Sequence, residues 1–164
     1  MFEIGDYVLN ATNGICKISE IVELDMSGDK QLKSYFLLRP VEAENDRVYI
    51  PVDNADKRIR KVITQDEAQA VLDRVPEIEA LAVNNEKERE TRYKEAVRSC
   101  EPDSVISLLK CLHIRNEQRA QAGKKSTAVD ERYGKMAEHN LNAELAFVLE
   151  KDRQEIKDII HDML

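Results

Sequence analysis

The sequence predicts an α+β protein of two domains: a small antiparallel β barrel over residues 1–63, then a compact all-α bundle of about five helices over residues 64–164. Three observations predict it. Up to about Arg60, short apolar runs alternate with turn residues at even spacing. At Thr64-Gln-Asp-Glu67 the chain takes the form of a capping box, in which hydroxyl and carboxylate each satisfy the other residue's amide. Beyond that point apolar residues recur at i, i+3, i+4 and i+7, the period of a helix face.

Turn signals fall at Asn10–Gly14, Ser27–Lys30, Glu42–Asp46 and Asp53–Asp56. Between them the strands are expected at Tyr7–Leu9, Ile15–Val22, Leu32–Leu38 and Arg47–Val52, a barrel or strongly bent sheet. Val48, Ile50 and Val52 alternate, so they are expected to face the core while Tyr49 points the other way. Pro51 has no ladder donor. It marks either a strand that stops at a turn or an edge strand able to receive a partner.

In the second half, Ala68, Val71, Leu72 and Val75 predict a helix ending at Pro76. Asn84-Asn85 offers N-caps for a helix over residues 86–99. Pro102 suits a first helical position, and Val105, Leu108, Leu109 and Leu112 follow as a stripe. Thr127-Ala-Val-Asp130 resembles another N-terminal cap, leading to Leu141, Leu145, Val148 and Leu149. Asp152 opens a last helix carrying Ile156, Ile159, Ile160 and Met163, which is expected to pack inside the bundle or against a second copy.

The formal net charge is −7 over 164 residues. Residues 1–64 hold 9 basic and 11 acidic side chains, so both halves are acidic. A protein that grips DNA unaided presents a basic surface, so any DNA contact here must be local, weak or assisted. Three cysteines without metal-type spacing fit reduced thiols and a cytoplasmic location. The chain opens on Met-Phe-Glu-Ile-Gly-Asp with no basic leader, and no window approaches a membrane span.

No catalytic constellation stands out, and the reading is not an enzyme. The five glycines never cluster into a phosphate cradle, and there is no nucleophile elbow. His113, His139 and His161 fall in different predicted helices and read as surface histidines rather than metal ligands. No cofactor is expected.

Two segments are locally basic. Lys87, Arg89, Arg92, Lys94 and Arg98 share one predicted helix with Tyr93, interleaved with Glu88, Glu90 and Glu95. The ordinary reading is a solvated helix surface. Arg115, Arg119, Lys124 and Lys125 face only Glu117 across residues 114–125. That is either a favourable helix end or a loop able to clamp phosphate.

Taken in order, Phe2-Glu-Ile-Gly-Asp-Tyr-Val-Leu9, Asn13-Gly14-Ile15, Tyr35-Phe-Leu-Leu-Arg39, Tyr49-Ile-Pro-Val-Asp-Asn-Ala55 and Ile59-Arg-Lys-Val-Ile63 resemble the CarD/CdnL family. The same module occurs in the transcription-repair coupling factor, whose helicase motor this short chain lacks. The resemblance continues through Arg92-Tyr93-Lys94 and the helix ending in Leu108-Leu109. It implies a Tudor-like domain that binds the RNA polymerase β subunit, partly by pairing strand edges, with Leu37, Tyr49 and Pro51 on the polymerase-facing surface. It also implies a helical domain that contacts promoter DNA and stabilises the open complex.

The family often places a tryptophan wedge four residues before the tyrosine; here that position is Arg89, and the chain has no tryptophan. An apolar wedge unstacks a base step, whereas arginine can enter a narrow minor groove. The DNA contacts expected are Arg89, Arg92 and Lys94, with Lys124, Lys125 and Arg132. The alternative is a protein-only adaptor on polymerase, without direct DNA contact.

Overall fold

The computed structural model describes all 164 residues, which divide into two compact units, Met1–Val62 and Ile63–Leu164. The first unit is a five-stranded antiparallel sheet: β1 (Tyr7–Asn10), β2 (Gly14–Leu24), β3 (Lys33–Pro40), β4 (Val48–Pro51) and β5 (Ile59–Lys61). The strand order is β4-β3-β2-β1-β5, so β4 and β5 are the two edges.

Local chemistry makes the turns. Asn10 Oδ1 accepts from the amides of Thr12 (3.1 Å) and Asn13 (3.0 Å), and Gly14 takes φ 71°, a conformation open to glycine. The Asn10 side-chain amide donates to Arg58 O, tying the first hairpin to the chain that enters β5. Asp25 closes the β2–β3 hairpin by accepting from the amides of Gly28 (2.8 Å) and Lys30 (3.0 Å).

The register of β2 on β3 shifts between Ile18 and Glu20, a bulge that bends the long strand. One face of the sheet closes on Val8, Cys16, Ile18, Phe36, Leu38, Ile50, Ala55 and Ile59, with Phe2, Val48 and Val52 packed against them. Val48, Ile50 and Val52 thus face the core as their alternation predicts. β5 escaped the sequence reading because three residues, two of them charged, show no alternation.

The second unit is helical: α1 (Gln65–Arg74), α2 (Arg89–Ser99), α3 (Pro102–Gln121), α4 (Ala128–Leu149) and α5 (Arg153–Met163). Thr64 and Glu67 form the expected capping box, Thr64 Oγ1 accepting from Glu67 N (3.1 Å) and Glu67 Oε2 accepting from Thr64 N (2.8 Å). Thr127 and Asp152 cap α4 and α5 through the amides of Asp130 and Gln154.

The chain between α1 and α2 runs extended past a short turn at Val75–Glu77. Leu81 N donates to Ser107 O (2.9 Å), and Ser107 Oγ donates to Glu79 O (2.7 Å), which pins this segment to α3. Lys110, also on α3, donates to the carbonyls of Val75 and Ile78, supplying a cation where α1 ends. The bundle core is built from Val71, Val75, Tyr93, Ile106, Leu108, Leu145, Ile156 and their neighbours. Ile156 and Ile160 of α5 are buried in it, so the last stripe packs inside its own unit.

Candidate functional site

The free edge of the sheet has a defined hydrogen-bonding pattern. Val52 N donates to Ser34 O (3.0 Å), so alternate amides along β4, those of Ile50 and Val48, point toward β3 as well. The backbone of Tyr49 and Pro51 therefore points away from the sheet. The outward side of β4 offers one N–H, from Tyr49, and the carbonyls of Tyr49 and Pro51. No strand of the sheet pairs with that side.

The face of the sheet opposite the core supports this edge. Tyr49 pairs with Leu37 and Pro51 with Tyr35 across β4 and β3. At such non-hydrogen-bonded positions the side chains stand close. Leu37, which the resemblance gives to the polymerase-facing surface, is only 5% exposed. It lies beside the half-buried Tyr49 and Pro51 as their support rather than as a presented side chain. On the next strand Tyr35 pairs with Val22 and Leu37 with Glu20, which carries the same face onto β2.

In the helical unit the candidate cations do not converge. A helix turns about 100° per residue, so Arg89 and Lys94, five positions apart, lie roughly 140° apart around α2. Tyr93, Ala96, Val97 and Cys100 are buried and mark the inward side. Arg89 lies on that side, its side chain 14% exposed. Its guanidinium donates to both carboxylate oxygens of Glu86 (2.8 and 2.5 Å) and to Tyr93 Oη (2.9 Å).

From there the network closes on itself. Tyr93 Oη donates to Asp130 Oδ1 (3.0 Å), Asp130 Oδ2 accepts from Arg115 Nε (2.7 Å), and Arg115 returns to within 3.8 Å of Glu86. Asp130 is 2% exposed. Burial pushes the Tyr93 hydroxyl up to about 12, and the adjacent Arg89 guanidinium holds the Glu86 carboxyl below its ordinary value. Arg89 itself is held charged chiefly by its bond to Glu86. Arg89 and Arg115 thus serve the interior of the bundle, and neither guanidinium is turned to solvent as a phosphate contact requires.

Other candidates fare differently. Arg132 pairs with Glu90 at 2.6 Å and lies 4.9 Å from the Tyr133 ring, yet stays 59% exposed. The loop after α3 is not loose: Arg119 Nε donates to Lys125 O (2.8 Å) and Lys124 N to Arg119 O (2.8 Å). The side chains of Lys124 and Lys125 remain exposed there, as do those of Arg92 and Lys94 on α2.

The sequence reading missed Glu86 and the carboxylate of Asp130, whose partners are distant in the chain. His113 and His161 lie in different helices, as read from the sequence, and their rings meet edge to face at 5.8 Å. They line a groove of about 440 Å³ between α3, α4 and α5, with Asn142, Lys135 and Lys157 on its walls. No three side chains there or elsewhere form a metal-ligating group.

Residues 2–63 match the family model described as the CarD-like/TRCF RID domain, a stretch that spans the whole β unit. No curated protein matches the chain. The family is one of RNA polymerase-interacting regulatory domains of Tudor-like fold, with the polymerase β subunit as partner. Sheet order, the bent second strand and the matched residues agree: the β unit of this chain is similar to the CarD-like/TRCF RID domains, a family of transcription-related, RNA polymerase-interacting modules.

Proposed function

We propose that this protein is a non-enzymatic transcription regulator that docks on the RNA polymerase β subunit by adding a strand to the edge of β4, and that its helical unit contacts promoter DNA to stabilise the open complex. The observation that carries the reading is the outward Tyr49 N–H and C=O of a strand with no neighbour on that side. Main-chain groups of this kind give a guest strand its affinity, and the side chains beside them give it selectivity. Tyr49 and Pro51 would meet the guest, with Leu37 holding Tyr49 from the side.

The acidic balance of the chain supports an assisted rather than an autonomous DNA contact. Once docked, exposed Arg92, Lys94, Lys124, Lys125 and Arg132 would see DNA at high effective concentration, so a weak contact suffices. The effect on the promoter would be a preference for one state by up to about 2 kcal/mol. A protein-only adaptor is the rival reading, and the inward engagement of Arg89 favours it.

Retention of the purified polymerase β subunit by the full chain tests the docking. Tyr49→Ala and Pro51→Ala should each weaken retention while leaving thermal unfolding of the chain close to wild type. Wild-type chain that ignores the β subunit would overturn the proposal.

A further inference from the structure

We propose that the groove between α3, α4 and α5 is a binding site for an adenine nucleotide, with Asn142 reading the base, His161 stacking on it and Lys135 taking the phosphate. None of its residues belongs to the β4 edge or to the cations offered to DNA, so the inference goes beyond the regulatory reading and does not rest on it. Each helix gives the groove one stripe. Leu112 and His113 on α3 are matched by Ile160 and His161 on α5, so each of these helices sets a buried apolar side chain on the floor and an imidazole beside it. On α4, Lys135, Glu138 and Asn142 recur at i, i+3 and i+7, the spacing of one helix face. The volume of about 440 Å³ lies within the range of small-molecule sites, roughly 300–1,000 Å³.

Two observations set this groove apart from a gap left by packing. Asn142 is 6% exposed and lines the groove, yet its amide has no hydrogen-bond partner in the protein. A polar side chain set so deeply ordinarily has one, so its donor and acceptor stand ready for a molecule that enters. Gly134 is the other. It sits inside α4, where glycine weakens a helix, and a Cβ there would meet Leu112 Cδ1 at 3.2 Å. Helix strength is given up at this position for room at the groove floor.

Charge and hydrogen-bonding chemistry select the occupant. The acids along the groove are already engaged: Glu138 pairs with Lys157 at 3.4 Å, Asp130 with Tyr93 and Arg115, and Glu131 accepts from Ser126 Oγ (2.7 Å). Lys135 is exposed and has no carboxylate partner, so the free charge of the groove is positive and calls for an anion. His113 leans on Glu117 at 3.4 Å, while the exposed His161 touches only the His113 ring. An imidazole is a stacking surface for a base. The adjacent C=O and N–H of an asparagine amide match the donor–acceptor edge of adenine. A lysine ammonium takes a phosphate through charge-assisted hydrogen bonds. A simple carboxylate or free phosphate would use Lys135 and leave the amide and the imidazole idle, whereas an adenine nucleotide uses all three.

The test is calorimetric titration of the full chain with adenosine monophosphate, alongside adenosine, guanosine monophosphate and inorganic phosphate. Adenosine monophosphate should bind with single-site saturation. Guanosine monophosphate should bind about tenfold more weakly or worse, because its base edge sets an acceptor where adenine has a donor. Asn142→Ala should weaken adenosine monophosphate and adenosine alike, by about tenfold or more, with a melting temperature close to wild type. Lys135→Ala should weaken adenosine monophosphate by up to about fivefold and leave adenosine unchanged, since only the phosphate contact is lost. In the wild-type chain the ring signals of His113 and His161 in NMR spectra should shift on addition of adenosine monophosphate while those of His139 stay in place, a readout that decides the site even where Asn142→Ala fails to fold. No saturable binding of adenosine monophosphate by the wild-type chain overturns the assignment. So does equal binding of the two nucleotides, equal binding by a folded Asn142→Ala variant, or saturation that leaves His113 and His161 unmoved.

Discussion

Tyr93 donates a 3.0 Å hydrogen bond to Asp130 from a position with no solvent exposure, and Asp130 is itself 2% exposed. The two residues lie on different helices and join the guanidinium of Arg89 to that of Arg115. A carboxylate so enclosed is tolerated because a donor meets each of its oxygens, the Tyr93 hydroxyl at Oδ1 and Arg115 Nε at Oδ2.

Removing that carboxylate strands both guanidinium-linked partners. Asp130→Ala is expected to destabilise the helical unit by about 3–5 kcal/mol, the usual cost of breaking one side of a buried charged pair. Tyr93→Phe removes one hydrogen bond and keeps the ring, so it should cost about 1–2 kcal/mol. Urea unfolding followed by circular dichroism measures both. A loss below 1 kcal/mol for Asp130→Ala would mean that water replaces the carboxylate.

Alkaline pH should weaken the two units over different ranges. Burial raises the Cys16 thiol in the β unit from 9.0 to about 11, and the Tyr93 hydroxyl in the helical unit from 10.0 to about 12. Each group stays neutral in the folded chain at a pH where the unfolded chain has lost the proton. The stability held by each is therefore intact below the unfolded value and is lost as pH rises through the folded one. The β unit should weaken between about pH 9 and 11, and the helical unit between about pH 10 and 12. Thermal melts from pH 8 upward test this, with Tyr93→Phe expected to flatten the second decline and Cys16→Ala the first.

The polarity of the β4 edge makes a sharper prediction than alanine replacement. Because Tyr49 N–H points away from β3, the sheet does not use it. Tyr49→Pro should then cost the fold little, as proline is accepted on edge strands. It should abolish strand addition, since the edge would be left with no donor. Tyr49→Val keeps the amide and serves as the comparison. Retention of the β subunit by Tyr49→Val but not by Tyr49→Pro, at matched melting temperature, is the expected result. Equal retention by the two variants would place the contact on side chains alone.

What could be read in the chain depended on the range of the interaction. Thr64 and Glu67 are three residues apart, and their reciprocal cap was visible because both partners lie in one window. Val48, Ile50 and Val52 declared the core face by alternation alone. Asp130 was read correctly as the end of a cap, but its carboxylate answers to Arg115 and Tyr93, 15 and 37 positions away. Nothing local announces such partners. Arg89 shows the same effect from the other side: a cation four residues before a tyrosine looks available for DNA until burial of that tyrosine draws it inward. The burial of Leu37 was not legible either, because it comes from neighbours on both flanking strands, Glu20 on β2 and Tyr49 on β4.

Pro51 has a consequence for crowding. Two molecules laid edge to edge along β4 would each meet the other's proline at a rung where an amide is wanted, and every added copy would repeat the defect. Stacking into ribbons is thereby discouraged, while a single foreign strand that needs only the Tyr49 rung is still welcome. The same residue that shortens the ladder protects an otherwise sticky rim from its own kind.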